Sequence, residues 1–250
     1  MNPKGKADMA LDDRLLEAYI HRFCGFGTYN GSIWLVGMEE GGGWEQDDVA
    51  RRLTAWDARG RLELDDVAEF SAAARLGDYF TPTGRLVPVF RGVLRVLLHA
   101  QGRPVTTDTV KAYQRAELGR ADGDDCVLEL MPLPSPGVDQ WHYREWSNLD
   151  YLQDRKRYMS HVRERRVRHL RDRISQYRPR LVLFYGLGYR AWWEQIAGTV
   201  LDACSTPGAY VARNPDTIFM MVKQPVAVGV KNADFDAAGM LAAELLGPPH

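Results

Sequence analysis

Nothing in this sequence approaches the ~20 consecutive apolar residues of a membrane-spanning helix, so no membrane partner is expected. Residues 1–13 carry lysines but no apolar signal core, which predicts a cytoplasmic protein, and residues 1–10 are expected to be disordered. Cysteine is scarce: Cys24, Cys126 and Cys204 are far apart, and no Cys-x-x-Cys pair occurs. That spacing argues against a disulfide framework, a zinc site or an iron–sulfur cluster. The six histidines show no metal-ligand spacing, so neither a metal nor a cofactor is expected. Internal repeats and low-complexity segments are missing as well.

What is present fits one sizeable core. A chain of 250 residues, 45% hydrophobic and 26% charged, has the composition of a soluble globular domain, here taken as a single unit over residues 1–250 and a monomer. The net charge of −1 hides an asymmetry. Nine Lys and Arg residues lie between Arg155 and Arg173, against the acids Glu164 and Asp172. Such a stripe fits a phosphate footprint or the solvated face of a long helix.

Apolar periodicity predicts helices over residues 12–24, 47–58, 65–74 and 107–118, around Phe90 to Leu97, along the basic stretch, around Trp192 and Trp193, and over 233–246. Short β-prone runs predict four strands, over 32–38, 126–131, 181–185 and 217–222. Strands separated by helices predict an α/β fold, a three-layer α/β/α sandwich around a mainly parallel four-stranded sheet. In a parallel sheet the carboxyl ends of the strands share one edge, and here each end carries unusual residues. The first strand runs into Gly37-Met38-Glu39-Glu40-Gly41-Gly42-Gly43, and the second carries Glu129 and meets the loop Pro132-Leu133-Pro134. The third turns at Gly186-Leu187-Gly188 and the fourth at Lys223-Gln224-Pro225.

Taken in order, these four segments resemble the uracil-DNA glycosylase superfamily. Gly37-Met38-Glu39-Glu40-Gly41 is similar to its first motif, GMNPG in the single-strand-selective branch. Glu129-Leu130-Met131-Pro132 resembles the segment whose Asn reads the base, Leu183 to Gly188 the third strand with its glycine turn, and Val222-Lys223-Gln224-Pro225 the His-Pro-Ser loop. Each motif is short, and the ordered set, spread over residues 33–245, carries the resemblance. The departures are specific: Glu39 stands where the family has a catalytic Asn or Asp, Glu40 replaces a proline, Glu129 replaces the base-reading Asn, and Gln224 replaces the His. The cluster-binding cysteines of some branches have no counterpart.

The resemblance implies a DNA glycosylase that flips a nucleotide out of the stack and hydrolyses its N-glycosidic bond. Glu39 would stabilise the oxocarbenium-like sugar or activate water, unless it caps a helix or pairs with an arginine. Gln224 would donate to the departing base. Gly37, Met38, Glu40, Gly41, Gly42 and His142 are the remaining substrate contacts expected, with Pro225, Val226, Lys231 and Asn232 on DNA. The three glycines would let a phosphate or sugar reach backbone N–H groups, and Gly41 removes the wall that a Tyr in another branch places against pyrimidine 5-substituents. A carboxylate at Glu129 accepts but does not donate, so it favours an amino-bearing base, unless it is a strand acid paired with an arginine. The leading expectation is therefore a monofunctional glycosylase for a 5-substituted, hydroxymethylated or glucosylated cytosine in phage DNA, with antiviral defence as its role. The alternatives are a uracil or deaminated-base repair glycosylase and a non-catalytic nucleic-acid-binding protein on the same scaffold.

Overall fold

The computed structural model describes residues 10–247, so the expectation for residues 1–9 lies outside the described residues. The four apolar runs form β2 (Ile33–Gly41), β4 (Asp125–Ser135), β5 (Leu181–Tyr185) and β8 (Ile218–Val222). They lie side by side in the order β4-β2-β5-β8, all parallel. Every residue of β5 and β8 is buried, as is 33–38 of β2, so both faces of these strands are covered.

The expected four-stranded sheet is a correction: the sheet has eight strands and is mixed. Beyond β4 lie β1 (Gly25–Gly27), antiparallel to it, and β3 (Leu64–Asp65), parallel to β1. Beyond β8 lie β7 (Tyr210–Arg213) and β6 (Asp202–Ala203), each antiparallel to its neighbour. These strands are two to four residues long, too short for a period-two pattern to stand out. β1 is also hidden by its glycines, which read as a helix stop. Gly25 is needed because a Cβ there would collide with the carbonyl oxygen of Val127 on β4.

Two other boundaries move. β2 does not stop at Met38 but continues to Gly41, and β4 runs through Pro132 and Pro134 to Ser135 instead of ending in a proline loop. The prolines are tolerated because β1 pairs only with Cys126–Leu128, leaving that side of β4 without a strand partner beyond Leu128.

Among the helices, α1 (Asp13–Arg22) packs on β4 and on α2 (Gln46–Ala58). The third, α3 (Val67–Ala74), starts two residues late because Asp66 is its N-cap, while Asp65 joins β3 and pairs with Arg59 at 2.6 Å. Next come α4 (Pro88–Ala100), α5 (Thr107–Ala116) and the single turn α6 (Tyr143–Trp146). The basic stretch forms α7 (Arg155–Tyr177), which packs on β4 and on α8 (Arg190–Ala197); α9 (Asn232–Leu246) covers β8 and packs on α4. No described helix is long and apolar enough to cross a membrane.

Candidate active site

Strand register builds the site. β2 and β4 are adjacent and parallel, and Gly37 pairs with Glu129. Val36 pairs with Phe184 on β5, so Tyr185 falls beside Gly37 on the other side. Side chains alternate along a strand, so Gly37, Glu39, Glu129 and Tyr185 share one face at the carboxyl end of the parallel strands. The glycine is a steric requirement: a Cβ on Gly37 would run into the Tyr185 hydroxyl and the Glu129 carboxyl. The intervening residue, Met38, is buried in the hydrophobic core, so its expected role as a substrate contact is replaced by packing.

The two carboxyl groups are held differently. Glu39 Oε1 accepts from Arg155 Nη2 at 2.6 Å, and both side chains are nearly buried, at 11% and 13% exposure. Its second oxygen, Oε2, is shut off from solvent without a partner among the described residues. Burial raises the Glu39 pKa above the usual carboxylate range, and the Arg155 hydrogen bond and charge pull against that rise. Glu129 Oε1 accepts from the Tyr185 hydroxyl at 3.0 Å, and its Oε2 is likewise sealed and unpartnered. Burial pushes the Glu129 pKa up to about 8, against the Tyr185 hydrogen bond and with help from the charges of Glu40 and Glu39. Native structures seldom bury polar atoms without partners, so two orphaned carboxyl oxygens at the carboxyl ends of adjacent strands make this edge the candidate site.

Several expected contacts are already committed within the protein. Glu40 pairs with the buried Arg52 at 2.7 Å, and Arg52 also reaches Asp48. The glycine triplet does not offer a nest of free donors, which corrects the expectation for it. Gly42 N–H donates to Ser135 O at 3.4 Å and Gly43 N–H to Asp48 Oδ2 at 2.8 Å. Their positive φ values, 146° and 65°, fold this turn against Pro134, and they rather than a ligand explain the glycines. Gly41 differs: a Cβ there would meet nothing within 4 Å, so that side of the site is open.

Gln224, just past β8, stands at the same edge, with its Oε1 3.5 Å from where a Cβ on Gly186 would lie. Pro225 is half-buried, and Val226, Lys231 and Asn232 are exposed beyond it. Val228 and Trp44, which follow β8 and β2, are further exposed apolar side chains. His142 caps α6 and stacks on Trp146, with ring centroids 5.5 Å apart. Its neighbours Trp141 and Tyr143 are packing residues whose ring groups donate to the carbonyls of Leu152 and Pro134.

Sequence reasoning missed Arg155, Tyr185, Ser135 and Tyr189. Arg155 was counted only as one charge of the basic stripe, yet it enters the site and also donates to Ser135 Oγ at 3.3 Å. Tyr189 is half-buried, and its hydroxyl pKa is raised first by burial and then by the charge of Glu39. Tyr185 could have been found from alternation, as the polar tip at the end of an otherwise apolar strand.

The basic helix splits its arginines. Arg166 is buried and donates to the carbonyls of Phe23, Glu129 and Leu130 and to Cys24 Sγ, while Arg173 pairs with Glu63. Cys24, Glu63 and His169 bring three potential metal-ligand atoms within 4.8 Å of one another, a grouping that their sequence spacing does not reveal. Hydrogen bonds to Cys24 and Glu63 raise the His169 pKa to about 9, and Glu63 is shared among Tyr29, His169 and Arg173. With two guanidiniums beside it, this cluster acts as an ionic staple between α7, the end of α1 and β3.

A depression of about 320 Å³ opens at the other end of the sheet, near Ser32 and Ile33. Its polar groups are occupied: Asp124 accepts from Ser32, Arg103 pairs with Glu117, and Arg180 donates to Leu246 O. The orphaned carboxyl oxygens lie at the opposite, carboxyl end of the parallel strands, away from this hollow. No protein-family model matches the chain, and no curated protein matches it.

Proposed function

We propose that the protein is a DNA glycosylase that hydrolyses the N-glycosidic bond of a 5-substituted cytosine. The observation that carries this reading is the pair of largely buried carboxyl groups, Glu39 and Glu129, each with one partnered and one unpartnered oxygen, at the same edge of the sheet. In the reaction a water oxygen attacks the anomeric carbon as the bond to the base nitrogen breaks and its electron pair leaves with the base. Glu39 Oε2 takes the proton of that water, and a carboxylate whose pKa is raised by burial suits a general base. Arg155 holds the other oxygen and so fixes the carboxylate plane. Gln224 donates an amide N–H to the charge developing on the base. The proton taken by Glu39 returns through solvent to the departing base, so the products are an abasic site and the neutral free base.

Glu129 supports the choice of base, because its Oε1 keeps a lone pair for an exocyclic amine beside the Tyr185 bond. The open side at Gly41 supports a substituent at the 5 position. Val226 and Val228, exposed past Gln224, suit insertion into the stack from which a nucleotide has been flipped. One observation favours a second reading, nucleic-acid binding without catalysis: Arg155 already pairs with Glu39, as in a structural salt bridge. Labelled duplexes carrying 5-hydroxymethylcytosine, its glucosylated form, uracil or hypoxanthine separate the readings when alkali cleaves any abasic site. Strand cleavage with the modified cytosines is the expected result. Binding without cleavage on every duplex supports the second reading, and cleavage confined to uracil or hypoxanthine removes the cytosine assignment.

A further inference from the structure

Glu129 is poorly placed to carry a charge. Its Oε2 is sealed without a partner among the described residues, and its Oε1 has the Tyr185 hydroxyl. The charged and titratable groups that face it are Glu40 and Glu39 from β2, Tyr185 from β5 and Arg166 from α7. Two of these are acids. Arg166 is spent on three backbone carbonyls and Cys24 Sγ, and touches Glu129 only at its carbonyl oxygen. A buried carboxylate with one neutral donor and two neighbouring acids is better kept protonated than ionised. Tyr185 also decides where the proton sits. The oxygen that accepts the tyrosine hydrogen bond keeps the carbonyl character, which leaves the O–H on Oε2.

We propose that Glu129 reads its base as a neutral carboxylic acid, with Oε2–H donating to the base, Oε1 accepting from it, and Tyr185 fixing which oxygen does which. This rests on the glycosylase reading of the site. It replaces an acceptor-only reader with a two-point one. Cytosine offers a bare ring nitrogen next to an exocyclic amine, one acceptor and one donor, and an ionised carboxylate would repel the ring nitrogen. Uracil offers a carbonyl next to an N–H, the same pair in the reverse order. A reader whose proton is pinned to one oxygen therefore tells the two bases apart, and a reader free to swap its proton does not. Tyr185 is thus a specificity residue that acts through Glu129.

The test combines infrared spectroscopy of the free protein with single-turnover base release against pH. The duplexes carry 5-hydroxymethylcytosine or uracil, and the proteins are the wild type, Glu129→Gln and Tyr185→Phe. A carboxylic-acid carbonyl band is expected at neutral pH, absent from Glu129→Gln and lost as pH climbs through about 8. Release should slow by about tenfold per pH unit beyond that point. Glu129→Gln, whose amide keeps one donor and one acceptor but does not titrate, should flatten this limb. Tyr185→Phe should bring the ratio of the two release rates at least about tenfold closer to one, a change that lost packing alone would not produce. Base release without the protonated band, or release that rises through pH 8, overturns the neutral reader while leaving the glycosylase reading in place. The band without release from any duplex overturns the glycosylase reading, and the base-reading role with it.

Discussion

Replacing Glu129 by Gln should change the pH dependence of folding whatever the protein's substrate. The ordinary carboxyl value is 4.5, and burial pushes Glu129 up to about 8 in the fold. Below pH 4.5 the group is protonated in both folded and unfolded chains, so its stabilising contribution is fully present. As pH rises from there, the unfolded chain loses the proton while the folded one keeps it, and stability falls by about 1.4 kcal/mol per pH unit. The loss levels off once pH passes the folded value. By pH 7 the wild type should have given up about 3.4 kcal/mol that the non-titrating variant keeps. Exchanging an oxygen for an amide nitrogen adds an offset of its own, but that offset does not vary with pH. Urea unfolding of both proteins between pH 5 and 8.5 measures the difference. With a urea slope of about 2–3 kcal/mol per molar, the two midpoints should drift apart by about 1.5 M across that window. A gap that stays constant would mean that Glu129 is ionised in the folded protein, and both the burial argument and the neutral reader would go with it.

Glu39→Gln should leave the fold intact and lower base release by at least ~100-fold; near-normal turnover by a folded variant would remove Glu39 from the chemistry. Gly37→Ala should cost about 1–3 kcal/mol in unfolding experiments, because the new methyl must displace the Tyr185 hydroxyl and the Glu129 carboxyl. A crystal structure of that variant with the Tyr185–Glu129 hydrogen bond intact would contradict this. Chelators should change neither melting temperature nor base release, since Glu63 is already engaged by His169 and Arg173; a zinc-dependent rise in melting temperature would show the cluster to be a metal site. Neutralising the exposed Lys156 and Arg171 together should weaken DNA binding alike for all sequences and flatten its salt dependence. An unchanged salt slope would return α7 to a purely structural role.

Much of the site was legible because it depends on short-range rules. Period-two alternation puts Gly37 and Glu39 on one face of β2, and parallel strands bring Glu129 to the same edge. The partners of these groups were not legible. Arg155 is 116 residues from Glu39, and nothing local separates it from the other arginines of its helix. The glycine triplet misled for a related reason: its composition announces free backbone, while the fold hands its N–H groups to Ser135 and Asp48.

The sequence by itself determined the four parallel strands, most of the helix positions and the edge at which chemistry-bearing residues collect, because apolar periodicity and strand direction are properties of contiguous residues. Tertiary structure decided the rest. The short outer strands β1, β3, β6 and β7 exist only because neighbours accept them, since two to four residues have no strand identity of their own. The ionisation of Glu129, the orientation of Glu39 and the protonation of His169 follow from burial and from partners brought in by packing. Such energies depend on what surrounds a group in space, and one residue type can be an ion, an acid or a staple according to the fold that closes over it.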